Sequence, residues 1–139
     1  MMNYQCKKIG VALGFGVAAA VMATASVAQD AVAEEFELDG VSVTVLAHDF
    51  LTEEELMTLR LVGQNSEALA VFVNVGDGFA ALAVAPDEGF VRGGVPVNSA
   101  SALSDLPDLN AARAAALEAC NAARDGGADC EVVLEIAPR

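Results

Sequence analysis

Aromatic residues and histidine are scarce in this chain: its 139 residues include no tryptophan, one tyrosine, six phenylalanines and one histidine. Lysine occurs only at Lys7 and Lys8, so five arginines carry all other positive charge against 20 acids. A footprint for nucleic acid or an anionic membrane surface needs clustered Lys and Arg, and that is missing here. The Cys-x-x-Cys redox motif is absent, as are the Gly-x-x-x-x-Gly-Lys-Ser/Thr loop and the Gly-x-Gly-x-x-Gly turn that cradle phosphates. Ser99 and Ser101 stand in no Gly-x-Ser-x-Gly elbow. These gaps leave the strong acidity as the main surface property, and solubility in an exported protein accounts for it.

What the N-terminus does contain is a targeting segment. Lys7 and Lys8 precede an apolar run rich in Ala and Gly from Ile9 to Ala25, and Ser26-Val27-Ala28 supplies the small residues a signal peptidase reads. Residues 1–28 are therefore expected to be a signal peptide cleaved after Ala28, with the protein periplasmic or secreted. An uncleaved membrane anchor is the alternative, since the run approaches the length of a span. Cys6 lies before the apolar run, unlike a lipoprotein cysteine. Cleavage removes 28 of 139 residues and leaves 111, a length suited to one domain. Both lysines and Tyr4 leave with the signal, so five arginines against 20 acids give a formal net charge of −15. Once the signal is gone, no membrane contact is expected.

Cys120 and Cys130 remain, an even number in an oxidising compartment. A zinc centre would need more ligands than these two and His48. Asp108 suits an N-cap after Pro107. Leu109, Ala112, Ala116, Cys120 and Ala123 then recur at helical spacing on a narrow, mostly alanine face, with Arg113, Glu118 and Arg124 turned to water. Gly126-Gly127 stops the helix. In the strand that follows, Cys130, Val132, Leu134 and Ile136 alternate with Glu131, Val133 and Glu135. The two periodicities put both sulfurs in one helix–strand interface, so a Cys120–Cys130 disulfide is expected.

Upstream, residues 29–40 read as a flexible acidic lead-in, and 41–139 as a single α+β domain. Val41 to Val45 alternates as a strand with one wet face. Thr52-Glu53-Glu54-Glu55 is a capping box, followed by Leu56, Leu59 and Val62 at helical spacing. The cap accounts for the three glutamates, and the loop pattern of a calcium-binding helix pair is missing. Ala68 to Val75 reads as a strand with Leu69, Val71, Val73 and Val75 on one side. Gly76-Asp77-Gly78 turns it into Phe79 to Ala85 as a hairpin. Phe90-Val91-Arg92 reads as a short strand before Gly93-Gly94, and Val95 to Leu106 as a connection. The order β-α-β-β-α-β predicts a small antiparallel or mixed sheet of about four strands with two helices and a helix–strand disulfide. It matches the split β-α-β pattern of ferredoxin-like sandwiches. An antiparallel meander with the disulfide-linked helix across one face and the first helix peripheral fits as well.

The runs FAALAVAPDEGFVRGG, AARAAALEAC and CEVVLEIAP resemble a group of small exported bacterial domains of unknown function. In that group a strand pair ends in a Gly-rich turn, an Ala-rich helix closes on A-L-x-x-C, and a C-x-V-V strand follows. The resemblance covers Phe79 to Pro138 and implies an architecture, not an activity. Small proteins with helices like FLTEEELMTLR sometimes carry the label aminolevulinate synthase. That enzyme is several times longer and holds pyridoxal phosphate on a lysine, which the mature chain lacks, so the label is not supported and no catalytic residue carries over.

The expected function is therefore a non-enzymatic binding or interaction module of the envelope, with no cofactor, no metal and no nucleic acid. Its partner would be an envelope protein or a small ligand. One alternative is a small envelope enzyme using His48 and Asp49 as acid and base. Another is a self-associating structural protein. Arg92 and Phe90 in GFVRGG are the candidate contacts with a partner or anionic ligand, because glycines there let another molecule approach. The competing reading pairs Arg92 with Asp87 or Glu88 at the surface.

Overall fold

The computed structural model describes residues 31–73 and 78–139. The expected signal peptide, its cleavage site and the proposed turn residues Gly76-Asp77 lie outside that range. Among the described residues no helix is long and apolar enough to cross a membrane.

The fold is α+β. Strands β1 (Val32–Leu38), β2 (Val41–Ala47), β3 (Phe79–Val84), β6 (Ser101–Leu106) and β7 (Glu131–Pro138) form one sheet in the order β1-β2-β7-β3-β6. Every neighbouring pair in it is antiparallel. Strands β4 (Val91–Arg92) and β5 (Val95–Pro96) make a separate two-stranded ribbon around Gly93-Gly94. Helix α1 (Glu53–Gln64) and helix α2 (Ser66–Phe72) contribute to the core on one sheet face, and α3 (Leu109–Ala123) packs on the other. Strands β2 and β3 each run antiparallel to β7, which lies between them, so β2-α1-α2-β3 is a split β-α-β unit, and β6-α3-β7, split by β3, is a second. The helices of the two units lie on opposite faces of the sheet. Helix α1 is not peripheral, since its Leu59 and Val62 are buried.

The α3 layer follows from small side chains. Ala81, Ala83 and Ala85 of β3 and its extension meet Ala112, Ala116 and Cys120 of the helix, so the two backbones approach closely. Asp108 caps the helix by accepting from the Ala111 N–H at 2.7 Å. The Cys120–Cys130 disulfide joins helix to strand with Cα atoms 6.1 Å apart, and Asn121 Oδ1 accepts from the Cys130 N–H beside it. The simple alternation expected along β7 does not hold. Leu82 pairs with Leu134 but Ala83 pairs with Val132, so Val133 is an extra residue in a bulge. Cys130 and Val132 therefore face α3, whereas Leu134 and Ile136 face the α1 and α2 side. Glu135 lies in the buried part of the strand and takes a bidentate pair from Arg113, at 2.5 and 2.9 Å, so Arg113 is an interface residue and not merely a solvated one.

Three further expectations are corrected. The acidic lead-in contains β1, which pairs with β2 along its full length through a two-residue Asp39-Gly40 turn. Its Phe36 ring lies under α1, where a Cβ on Gly63 would come within 2.7 Å of Cδ2. The stretch Val95 to Leu106 contains strands β5 and β6 as well as a connection. Of the segment Ala68 to Val75, expected as a strand, residues 68–72 lie in helix α2, and residues 74 and 75 fall outside the described residues. Asn65 caps that helix by accepting from the N–H groups of Glu67 and Ala68. Leu69 and Val73, four apart, are buried as a helix requires, while Val71 between them is 82 % exposed.

Candidate functional site

The site is built on Glu55, the residue that closes the α1 capping box. Thr52 Oγ1 accepts from the Glu55 N–H, and Glu55 Oε1 accepts from the Thr52 N–H, each at 3.1 Å. That much the T-x-x-E spacing implies. The structure adds a second role for the same carboxylate, which is 0 % exposed. Its Oε2 accepts from the N–H of Phe90 at 2.7 Å and that of Val91 at 3.3 Å. Arg92 Nη2 lies 3.2 Å from Oε1. Burial alone pushes the Glu55 carboxyl up, but the N–H groups of Phe90, Thr52 and Val91, with the Arg92 guanidinium, outweigh it and hold the group below its ordinary value. Gly89 makes the junction possible. Its φ is +68°, and a Cβ there would run into Glu55 Oε2 and approach Arg92 Nε to 2.5 Å.

This carboxylate holds the segment 89–92 against the start of α1, and that segment walls a cleft of about 340 Å³. Phe72 of α2, Leu82 of β3, Phe90, Val91 of β4, Pro96 of β5 and Ala102 of β6 line it, joined by Val71, Val97 and Ala100. Phe72 and Phe90 meet edge to face with ring centroids 6.2 Å apart. All nine lining side chains are apolar, so the cleft offers dispersion and desolvation, with orientation left to backbone groups. The outer face of α1 has a concavity of about 530 Å³ beside Met57 and Leu61, but its described lining comes from that single helix. The cleft draws its walls from α2, the main sheet and the ribbon.

The residues singled out in the sequence fall as follows. Phe90 is 2 % exposed, so it belongs to the core and the wall of the cleft and is not a projecting anchor. Arg92 pairs with Glu55, not with Asp87 or Glu88. Asp87 instead accepts from the Ala128 N–H at 3.1 Å and ties its turn to the loop before β7. All five arginines among the described residues are in ion pairs: Arg60 with Glu34, Arg92 with Glu55, Arg113 with Glu135, Arg124 with Asp129 and Arg139 with Glu37. An anionic ligand at Arg92 would have to compete with a buried carboxylate.

His48 and Asp49 are not brought into the cleft. Nε2 of His48 donates to the Val132 carbonyl at 2.8 Å, and the ring stacks on Phe50 with centroids 4.9 Å apart. The half-buried imidazole thus ties the end of β2 to the bulge in β7, while Asp49 is exposed. Ser99 is buried, and its carbonyl accepts from the Ser101 hydroxyl at 3.1 Å. Among the described residues no group of three or more His, Cys, Asp or Glu could hold a metal ion.

Sequence reasoning found the loop but missed Glu55 as its holder. The signal that could have shown it is the second oxygen of a capping-box glutamate, which the box itself leaves free. In comparisons with known proteins, no family model, no curated protein and no solved structure matches this chain.

Proposed function

We propose that the mature chain is a binding module of the cell envelope that takes an apolar group into the cleft between α2, β3 and the β4–β5 ribbon. The observation that carries this reading is the cleft itself, about 340 Å³ of wholly apolar lining with one wall held by a buried carboxylate. Its volume lies in the range of small-molecule sites, and it lacks side chains that could move a proton. The signal-like N-terminus and the disulfide support a periplasmic or secreted setting. On this reading the resemblance over Phe79 to Pro138 is one of scaffold. Pyridoxal phosphate chemistry is not assigned, because both lysines precede the expected cleavage site.

The test uses N-phenyl-1-naphthylamine, a neutral apolar dye that a formal charge of −15 does not repel. The mature chain has no Trp or Tyr to interfere with its emission. Saturable fluorescence is expected for the wild type. An Ala102→Phe variant, whose ring fills the cleft, should bind at least tenfold more weakly with an unchanged far-ultraviolet circular dichroism spectrum. No saturable signal, or equal binding by a folded variant, would remove the cleft as a site.

A further inference from the structure

We infer that the natural occupant of the cleft is an extended polypeptide segment that adds to β6 as a sixth strand and drops alternate apolar side chains between α2 and the ribbon. This rests on the cleft reading above and deepens it.

Two independent features meet at β6. The first is topological. The sheet runs β1-β2-β7-β3-β6, so β6 is paired on its β3 side only among the described residues. Exposed edges template further strands unless charge, proline or a bulge blunts them. The two edges of this sheet are treated differently. Along β1 stand Glu34, Glu35 and Glu37, three carboxylates in seven residues. Along β6 the run Ser101-Ala102-Leu103-Ser104 is uncharged, and blunting begins only at Asp105, whose φ is +61°.

The second feature is the cleft, which is continuous with that edge. Ala102 of β6 and Ala100 just before it form part of its lining. Because side chains alternate along a strand, a segment pairing beside Ala102 would present every second side chain to the cleft, about 6.6 Å apart. Val71 lines the cleft yet is 82 % exposed, and Val95, next to lining residue Pro96, is exposed as well. A strand lying there would cover both. Strand addition has this division of labour: main-chain hydrogen bonds along the edge give affinity, and pockets for alternate side chains give specificity.

Charge fixes the rest of the partner's chemistry. Each arginine is already paired within the chain, and the mature protein has 15 more acids than arginines. The segment therefore carries apolar residues at alternate positions, with Lys or Arg between them rather than Asp or Glu.

The test uses a synthetic ten-residue peptide of alternating Lys and Val with blocked ends. The control is the same peptide N-methylated at every residue, which keeps charge and side chains and removes every main-chain donor. Binding to the mature chain is measured by titration calorimetry, and the location by amide hydrogen exchange. The unmethylated peptide should bind at least tenfold more tightly and slow exchange at Ala102 to Ser104, with β1 unchanged. Equal binding of the two peptides, protection at β1 instead, or no binding by either would overturn strand addition. If the neutral dye still binds while the peptide does not, only the strand reading falls. If the dye fails too, the cleft itself is lost.

Discussion

Replacing Glu55 with glutamine is the sharpest perturbation this architecture allows. The change keeps the size of the side chain and removes its charge. In the wild type the two oxygens face three backbone N–H groups, from Thr52, Phe90 and Val91, and the Arg92 guanidinium, so only donors surround them. A glutamine offers one carbonyl to that set and turns an NH₂ toward the rest. One buried donor is then left unsatisfied, at about 1–3 kcal/mol, and the bonds that remain lose charge assistance. The Arg92 side chain is 41 % exposed. Water therefore screens the pair, and its loss adds under about 1 kcal/mol. Together these give about 1–4 kcal/mol, which for a domain of this size lowers the melting temperature by roughly 4–16 °C. Far-ultraviolet circular dichroism is the assay, because residues 29–139 include no Trp or Tyr. The exposed neighbour Glu54 is the control; Glu54→Gln removes a first-turn charge worth about 0.3–1 kcal/mol. The pH dependence has a definite sign. The Glu55 carboxyl is held below its ordinary value in the folded state. Its contribution is thus fully present above the unfolded glutamate value of about 4.3 and is lost as pH falls through the folded value. The gap between wild type and Glu55→Gln should be widest near neutral pH and close in acid. A variant melting within about 2 °C of the wild type at pH 7, or a gap that widens in acid, would refute this account of the junction.

Removing either partner of the disulfide, by Cys120→Ser or Cys130→Ser, should lower stability by at most about 2.7 kcal/mol from chain entropy, given a sequence separation of 10. Two alkylatable thiols in the native protein would contradict the crosslink. Gly63→Ala should destabilise by about 1–3 kcal/mol although alanine favours helix, because its Cβ meets the Phe36 ring; pairing it with Phe36→Leu should restore part of the loss, and a stabilised single variant would contradict the packing. His48→Ala should cost about 0.5–1.5 kcal/mol through the lost bond to the Val132 carbonyl and leave dye binding unchanged; loss of dye binding in a folded variant would show that His48 serves the cleft.

How far the sequence could be read depended on how local its signals were. The α1 capping box, the Asp108 cap, the alanine face of α3 and the Cys120–Cys130 pairing all follow from residues a few positions apart, and the structure contains each. Strand β1 was also visible, in Phe36 and Leu38 alternating with Glu35 and Glu37 before Asp39-Gly40, but its net acidity imitates a loose tail. The stretch from Leu69 to Val73 satisfies both periods at once. Only the Asn65 cap, which lies outside the apolar run, decides for helix. The bulge at Val133 depends on pairing with β3, some fifty residues away in sequence, and no local rule contains it. The same holds for Glu55 and Phe90, separated by 35 positions. The cleft is therefore a product of topology. Its walls come from α2, β3, the ribbon and β6, and none of these segments alone carries a motif.

The most direct test of the cleft is a methyl NMR titration of residues 29–139 with N-phenyl-1-naphthylamine, since the shifts report where an apolar probe sits. The account predicts saturable changes gathered on Val71, Leu82, Val91, Val97, Ala100 and Ala102, with Met57 and Leu61 on the outer face of α1 unmoved. Changes centred on Met57 and Leu61, or spread evenly over the exposed apolar residues, would contradict it.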